Sequence, residues 1–222
     1  MELPSAGNYA TGILFLDKDE ALRQEAQIEF EKEAGELGLK ILAWRDVPKD
    51  PTCLGSVAQN SEPHMVQVFI SGSDSGSFDR DEEGDPMASE VMEKRIYILR
   101  KSMTHKMAQK YADDGRFYVC SLSTKTIVYK GQFNPCQLWE YFEDLKDPDF
   151  KTYICIVHTR FSTNTFPSWE RAHPNRYLAH NGEINTLKGN VNLMKAREGV
   201  MSSPDFGDNL SKVKQQICNG HF

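Results

Sequence analysis

The stretch "HTRFSTNTFPSWERAHPNRYLAHNGEINTLKGN", His158 to Asn190, is dense in Asn, Thr, His and Arg. Linkers are richer in Ser, Gly, Pro and Glu, and core segments are more apolar, so neither role explains it. An apolar, β-branched run, "KTYICIVH" (Lys151 to His158), leads into it and reads as a strand. That strand would deliver His158, Thr159 and Arg160 at its end, where a sheet opens onto a site. Arg160 brings a fixed, planar cation suited to a carboxylate, a contact of about 1.5–3 kcal/mol when partly shielded. A structural ion pair is the alternative for the same side chain. Thr163 and Asn164 add short hydroxyl and amide groups that could orient the same ligand.

Further along, "YLAHNGEIN" turns sharply at Asn181-Gly182. Asn-Gly is a strong hairpin-turn signal. The same pair could form an oxyanion hole, the Asn181 side-chain amide and the Gly182 N–H aimed at a developing tetrahedral oxygen. Loss of one such donor typically costs roughly 10²–10³ in rate. The stretch closes in "NTLKGNVNLMKAREG", a predicted helix with Leu187, Val191 and Met194 inward and Gly199 at its end.

Working outward, "YATGILFL" (Tyr9 to Leu16), "LKILAW" and "HMVQVFI" (His64 to Ile70) read as strands. Between the first two, "DKDEALRQEAQIEFEKEAGELG" reads as a helix capped by Asp17 or Asp19 and stopped by the closing "GELG". "EKRIYILRKSMTHKMAQKYA" is expected to start as a strand and become a helix with a basic face of Lys94, Arg95, Arg100, Lys101, Lys106 and Lys110. "RFYVCSLSTKTIVYKGQF" reads as a hairpin around "STK", and "NPCQLWEYFEDL" as a short helix with Asn134 as cap and Pro135 at its first position. This order implies one α+β domain spanning 1–222, with a disordered Gly/Ser-rich and acidic surface loop at 71–89.

Composition narrows the function classes. With 222 residues and a net charge of -6, the chain has no overall basic field to recruit nucleic acid or anionic lipid. The basic helix face is expected instead to pair with the acidic loop. No apolar run approaches the roughly 20 residues that span a bilayer, and no targeting signal is visible, so the expectation is a soluble protein of the cytoplasm or an organelle lumen such as plastid or mitochondrion. The five cysteines (53, 120, 136, 155 and 218) show neither CxxC nor zinc-ligand spacing. They read as small buried hydrophobes, Cys120 and Cys155 most of all.

The motifs "RFSTNTFPSW" and "YLAHNGEINT", with "GLKILAWRDVP", "FYVCSLSTKTIVYKG" and "DLKDP" upstream, closely resemble the glutamine amidotransferase domain of the glutamate synthase large subunit. The resemblance covers most of the chain. It implies an N-terminal-nucleophile fold, a four-layer αββα sandwich with two antiparallel sheets between helices, here incomplete. It implies L-glutamine as substrate and a cysteine nucleophile whose own α-amine is the base. Ammonia would pass to FMN- and iron–sulfur-containing domains that aminate 2-oxoglutarate to glutamate at the expense of NAD(P)H or ferredoxin. No cofactor is expected within this chain itself. By matching position, Arg160 would bind the glutamine α-carboxylate, Phe161 and Thr163 would shape that pocket, and Asn181 and Gly182 would form the oxyanion hole.

Two departures accompany the resemblance. The family's "CG" start lies upstream of "YATGILFL" and is not matched here. After "MSSPDFGDNLSKVKQQ" the pattern breaks into "ICNGHF", before the family's Asp that holds the glutamine α-amino group; Asp205 and Asp208 lie too early to be that residue. The expectation is a chain inactive by itself, with exposed sheet edges and apolar surface. A non-catalytic module that retains a glutamine or carboxylate pocket is the alternative.

Overall fold

The computed structural model describes residues 3–4, 8–72, 89–111, 116–160, 166–173 and 187–214. Its centre is β1 (Tyr9–Leu16), which pairs antiparallel with β3 (His64–Gly72) along its whole length, from Tyr9 opposite Ser71 to Leu16 opposite His64. β2 (Leu39–Asp46) pairs with the other edge of β3, with a bulge between Ile41 and Ala43. β4 (Phe117–Val119) joins the free edge of β1, giving the order β2-β3-β1-β4. The result is an α+β arrangement around an antiparallel sheet.

β1 is apolar almost throughout because both of its faces are covered. Ala10, Leu14 and Leu16 enter one core with Val66, Val68 and Ile70 of β3, while Ile13 and Phe15 enter a second core on the opposite face. This follows from the two-residue period of a strand. Gly12 occupies the tightest place. A Cβ there would fall 2.0 Å from the Ser121 carbonyl oxygen and 2.7 Å from the Leu122 Cα, so only glycine lets the chain after β4 cross so closely.

The first core is roofed by α1 (Glu20–Glu36) and α3 (Ser89–Lys110). Asp19 caps α1, its carboxylate accepting from the N–H groups of Ala21 (2.9 Å) and Leu22 (3.2 Å). Gly38, at φ 67°, turns the chain out of the helix into β2. α3 is helical from Ser89 onward, which corrects the expected strand start. Met92, Ile96, Leu99, Met103 and Met107 recur every three or four residues and are all buried, so the helical stripe overrides the β-propensity of "RIYIL".

The two helices are joined by an ionic ladder. Glu25 pairs with Lys110 (2.6 Å), and Lys106 reaches both Glu29 (2.8 Å) and Glu33 (2.6 Å). Glu33 is 1% exposed and also accepts from the Ser102 hydroxyl (2.6 Å) and from Lys212 (3.1 Å) of α6 (Leu210–Val213). Burial pushes its carboxyl pKa up, but the bonds from Lys106, Ser102 and Lys212 outweigh this and bring it down to about 2. Described partners of the basic face include Glu25 and Glu29 of α1 and Asp205, which pairs with Lys94 (2.7 Å); the pairing expected with the acidic loop falls on residues outside the described ones. Residues 73–88 of that loop lie outside the described residues; Ser71 and Gly72 end β3 and Ser89 opens α3.

Two expected strands are absent. The second arm of the hairpin after β4 is irregular; only the pair Thr11–Ser123 bridges, and side chains replace the ladder. The Ser121 hydroxyl oxygen accepts from Ile13 (3.3 Å) and Val128 (3.2 Å), and Glu93 of α3 accepts from the Thr124 N–H at 2.7 Å. Residues 151–160 form no strand either, and Tyr153, Ile154, Ile156 and Val157 face solvent. Cys155 is exposed with them, against expectation, whereas Cys120 is buried as expected. An apolar run becomes a strand only where a neighbouring edge accepts its backbone hydrogen bonds, and no edge does so here among the described residues.

Of the smaller helices, α2 (Ser56–Ser61) and α4 (Pro135–Tyr141) flank the second core. α4 begins as the sequence implies, with Pro135 in its first turn and a capping box between Asn134 and Gln137. α5 (Leu187–Glu198) also forms, but Val191 and Met194 are only half-buried, so the inward packing expected of them is partial. Among the described residues no helix is long and apolar enough to cross a membrane.

Candidate functional site

The site suggested by the sequence surrounds the segment 158–173, whose fastening the structure resolves at both ends. Trp169 is the deepest point, 1% exposed in the second core. Its indole packs edge-on against Phe15 (6.5 Å between ring centroids) and Phe133 (5.4 Å), and lies tilted beside Tyr141 (5.7 Å). The indole N–H donates to the Ala58 carbonyl at 3.1 Å, which satisfies the polar edge of a buried ring. Gly131 makes room for it, because a Cβ there would lie 2.3 Å from the Trp169 ring and 2.3 Å from Phe133.

Around this anchor the backbone is held by short polar contacts. The Lys130 ammonium donates to the Glu170 carbonyl (2.7 Å) and to the Tyr118 hydroxyl (2.8 Å). The Arg171 guanidinium donates to the Phe166 carbonyl (3.3 Å), and its backbone N–H to the Ser168 hydroxyl oxygen (3.3 Å). At the outer end the rings of His158 and His173 lie 4.3 Å apart. His173 takes φ 47°, a left-handed backbone that β-carbon-bearing residues adopt uncommonly. Burial, and then the neighbouring charge of His173, depress the His158 pKa.

Arg160 stands two residues beyond this histidine contact. It is exposed, and its backbone N–H donates to His158 Nδ1 at 3.4 Å. Among the described residues no carboxylate pairs with its guanidinium, so the structural ion pair left open by the sequence finds no partner there. Phe161, Thr163, Asn164, Asn181 and Gly182 lie outside the described residues. The structure therefore locates Arg160 and the scaffold of its loop, and brings no second predicted site residue beside it.

Trp169, Lys130, Gly131 and His173, to which the sequence assigned no role, carry that scaffold together with His158. Trp169 was detectable as the one tryptophan of a polar run that also holds Phe161, Phe166 and Tyr177. Lys130 carried no comparable signal. Of the described cysteines, Cys136 and Cys155 are exposed and Cys53 is half-buried. Cys120 is buried, donating to the Val128 carbonyl (3.4 Å), and burial together with Asp50 raises the pKa of the Cys53 thiol. Among the described residues no three His, Cys, Asp or Glu side chains converge to hold a metal ion.

Residues 1–221 match the family model of the class-II glutamine amidotransferases, and the chain belongs to that family. Within it, the chain is similar to glutamate synthases. It is 44% identical over 218 residues, 98% of its length, to a glutamate synthase [NADH] of Schizosaccharomyces pombe. It is 41% identical over 213 residues, 96% of its length, to a glutamate synthase [NADPH] large chain of Bacillus subtilis. A chloroplastic ferredoxin-dependent glutamate synthase of rice, Oryza sativa subsp. japonica, is 36% identical over 198 residues, 89% of the chain. The chain spans only about a tenth of the length of these relatives (10%, 13% and 12%).

Proposed function

We propose that this chain is the glutamine-receiving part of a glutamate synthase. Arg160 pairs with the α-carboxylate of L-glutamine, Phe161 and Thr163 shape the pocket around it, and the Asn181 amide and Gly182 N–H stabilise the oxyanion. The reading is supported above all by the family match across both motifs, "RFSTNTFPSW" and "YLAHNGEINT". The exposure of Arg160 beside the fastened loop is consistent with a cation held ready for an incoming carboxylate.

In this reading a cysteine thiolate attacks the side-chain amide carbon of glutamine, and its charge passes to the carbonyl oxygen. The Asn181 and Gly182 donors hold that oxyanion until the C–N bond breaks; the nitrogen leaves as ammonia with the proton that the cysteine's own α-amine took from the thiol, and water then hydrolyses the thioester. The surrounding fold is a four-layer αββα sandwich of the N-terminal-nucleophile type, of which the sheet, α1 and α3 form one half. The FMN, iron–sulfur and 2-oxoglutarate chemistry, and the NADH, NADPH or ferredoxin that drives it, belong to other domains of the parent enzyme.

In this reading the chain itself binds glutamine through Arg160. Calorimetry with L-glutamine tests this. Saturable binding is expected, and Arg160→Ala weakens it by roughly 10- to 100-fold, the worth of one charge-assisted contact. Equal affinity in the two proteins would exclude Arg160 as the carboxylate anchor. An ammonia assay on the same samples separates a binding module from an enzyme: release that disappears with Arg160→Ala would mean that the chain is catalytic.

A further inference from the structure

Two fastenings lie among the described residues that flank the proposed glutamine contacts. One is the His158–His173 contact at 4.3 Å. The other is the stretch around Trp169, and beneath it sits Lys130, whose side chain is unusual for its type. Lys130 is 9% exposed, yet among the described residues it forms no ion pair with a carboxylate. Its ammonium is satisfied by two neutral oxygens, the Glu170 carbonyl at 2.7 Å and the Tyr118 hydroxyl at 2.8 Å, and lies 4.5 Å from the centroid of the Tyr118 ring.

A buried ammonium held, among the described residues, by neutral oxygens alone is a costly way to hold two segments together, and an apolar side chain of similar volume would serve a purely structural role better. Lys130 supplies directed N–H bonds, which fix one carbonyl of the loop at a set distance from β4. Glu170 lies next to Trp169, and the loop returns from there to His173, which touches His158, two residues from Arg160. We infer that Lys130 is a positioning residue for the glutamine site: by fixing the Glu170 carbonyl it fixes the Trp169 anchor and, through His173 and His158, the end of the chain segment at Arg160. This rests on the reading of Arg160 as a glutamine contact.

The test uses the 222-residue chain with Lys130→Met, which keeps the length of the side chain and removes its donors, and Lys130→Arg, which restores them. Hydrogen exchange of peptides covering 158–173 is followed beside glutamine affinity. Lys130→Met is expected to speed exchange at 158–173 by about tenfold or more while peptides from β1 and β3 stay as in the parent. It should weaken glutamine binding by about tenfold, with Lys130→Arg recovering most of both effects. Trp169→Phe, which keeps a ring but loses the bond to Ala58, should loosen the same peptides to a smaller extent. Unchanged exchange at 158–173 overturns the inference, and so does a uniform rise across all peptides, which would assign Lys130 to general stability. Loosened loop peptides in proteins that bind no glutamine whatever stands at position 130 would overturn the positioning role together with the reading of Arg160.

Discussion

Two apolar runs of similar character meet opposite fates in this molecule. "YATGILFL" is the most enclosed strand, with Ala10, Leu14 and Phe15 at 0% exposure, whereas the side chains of "YICIV" at 153–157 stand in solvent. Composition does not separate them. What separates them is the company of their backbones: β1 finds β3 on one edge and β4 on the other, and residues 151–160 find neither. A strand is a property of a pairing rather than of a sequence, and the burial of its side chains follows from that pairing.

If the contrast is real, removing material from the enclosed region must cost far more than removing it from the exposed run. The largest effect is expected at Trp169→Ala, which empties the second core where Phe15 of β1 packs. Truncation of a buried aromatic of this kind costs about 3–5 kcal/mol, measurable as a fall in the denaturant midpoint. A loss below about 1 kcal/mol would mean that the loop is not anchored there.

Next comes acid. The Glu33 pKa is about 2 in the folded chain against an ordinary value of 4.5, so the unfolded chain binds the proton more readily. The stability tied to Glu33 is fully present above about pH 4.5 and is lost as the pH falls toward 2, on the order of 3 kcal/mol in all. In Glu33→Gln that acid-dependent part of the unfolding curve should vanish; a curve of unchanged pH dependence would show that other carboxylates set it.

The smallest effect belongs to the exposed run. Ile154→Ser combined with Ile156→Ser should change stability by less than about 0.5 kcal/mol, as for surface substitutions generally. The same change should raise the concentration at which the protein begins to aggregate, because it breaks an uncharged β-prone segment. A loss of 2 kcal/mol or more by chemical denaturation would show that Ile154 and Ile156 are enclosed in solution and would dissolve the contrast with β1.

The same physics decides what could be read in advance. β1, α1, β2, β3 and α4 were legible because their signals are local: alternation or a continuous apolar run, Asp19 ahead of Ala21, Gly38 after the helix, Pro135 after Asn134. The start of α3 was not, because Ile96, Ile98 and Leu99 favour a strand over a short window. The stripe that makes them helical becomes clear only when Met92, Met103 and Met107 are counted with them. The strands expected at 126–130 and 151–160 find no partner edge among the described residues, which no local pattern reports. Of the proposed site, the motif "RFSTNTFPSW" singles out Arg160, which is exposed. Lys130 was not, since its role depends on a carbonyl 40 residues away in sequence.

The ladder between α1 and α3 has a mechanical consequence. Glu25, Glu29 and Glu33 recur every four residues, about 6 Å along the axis at the rise of an α-helix, and they meet Lys110, Lys106 and Ser102 at the same interval on the neighbour running the other way. Like the teeth of a rack, this spacing penalises sliding by any fraction of a step, since a partial slip would strand the Glu33 carboxylate away from its donors in a place where water cannot replace them. The pair should therefore resist shear along its length far more than separation at its outer, solvent-facing end, so that force or thermal motion opens it from Glu25 inward.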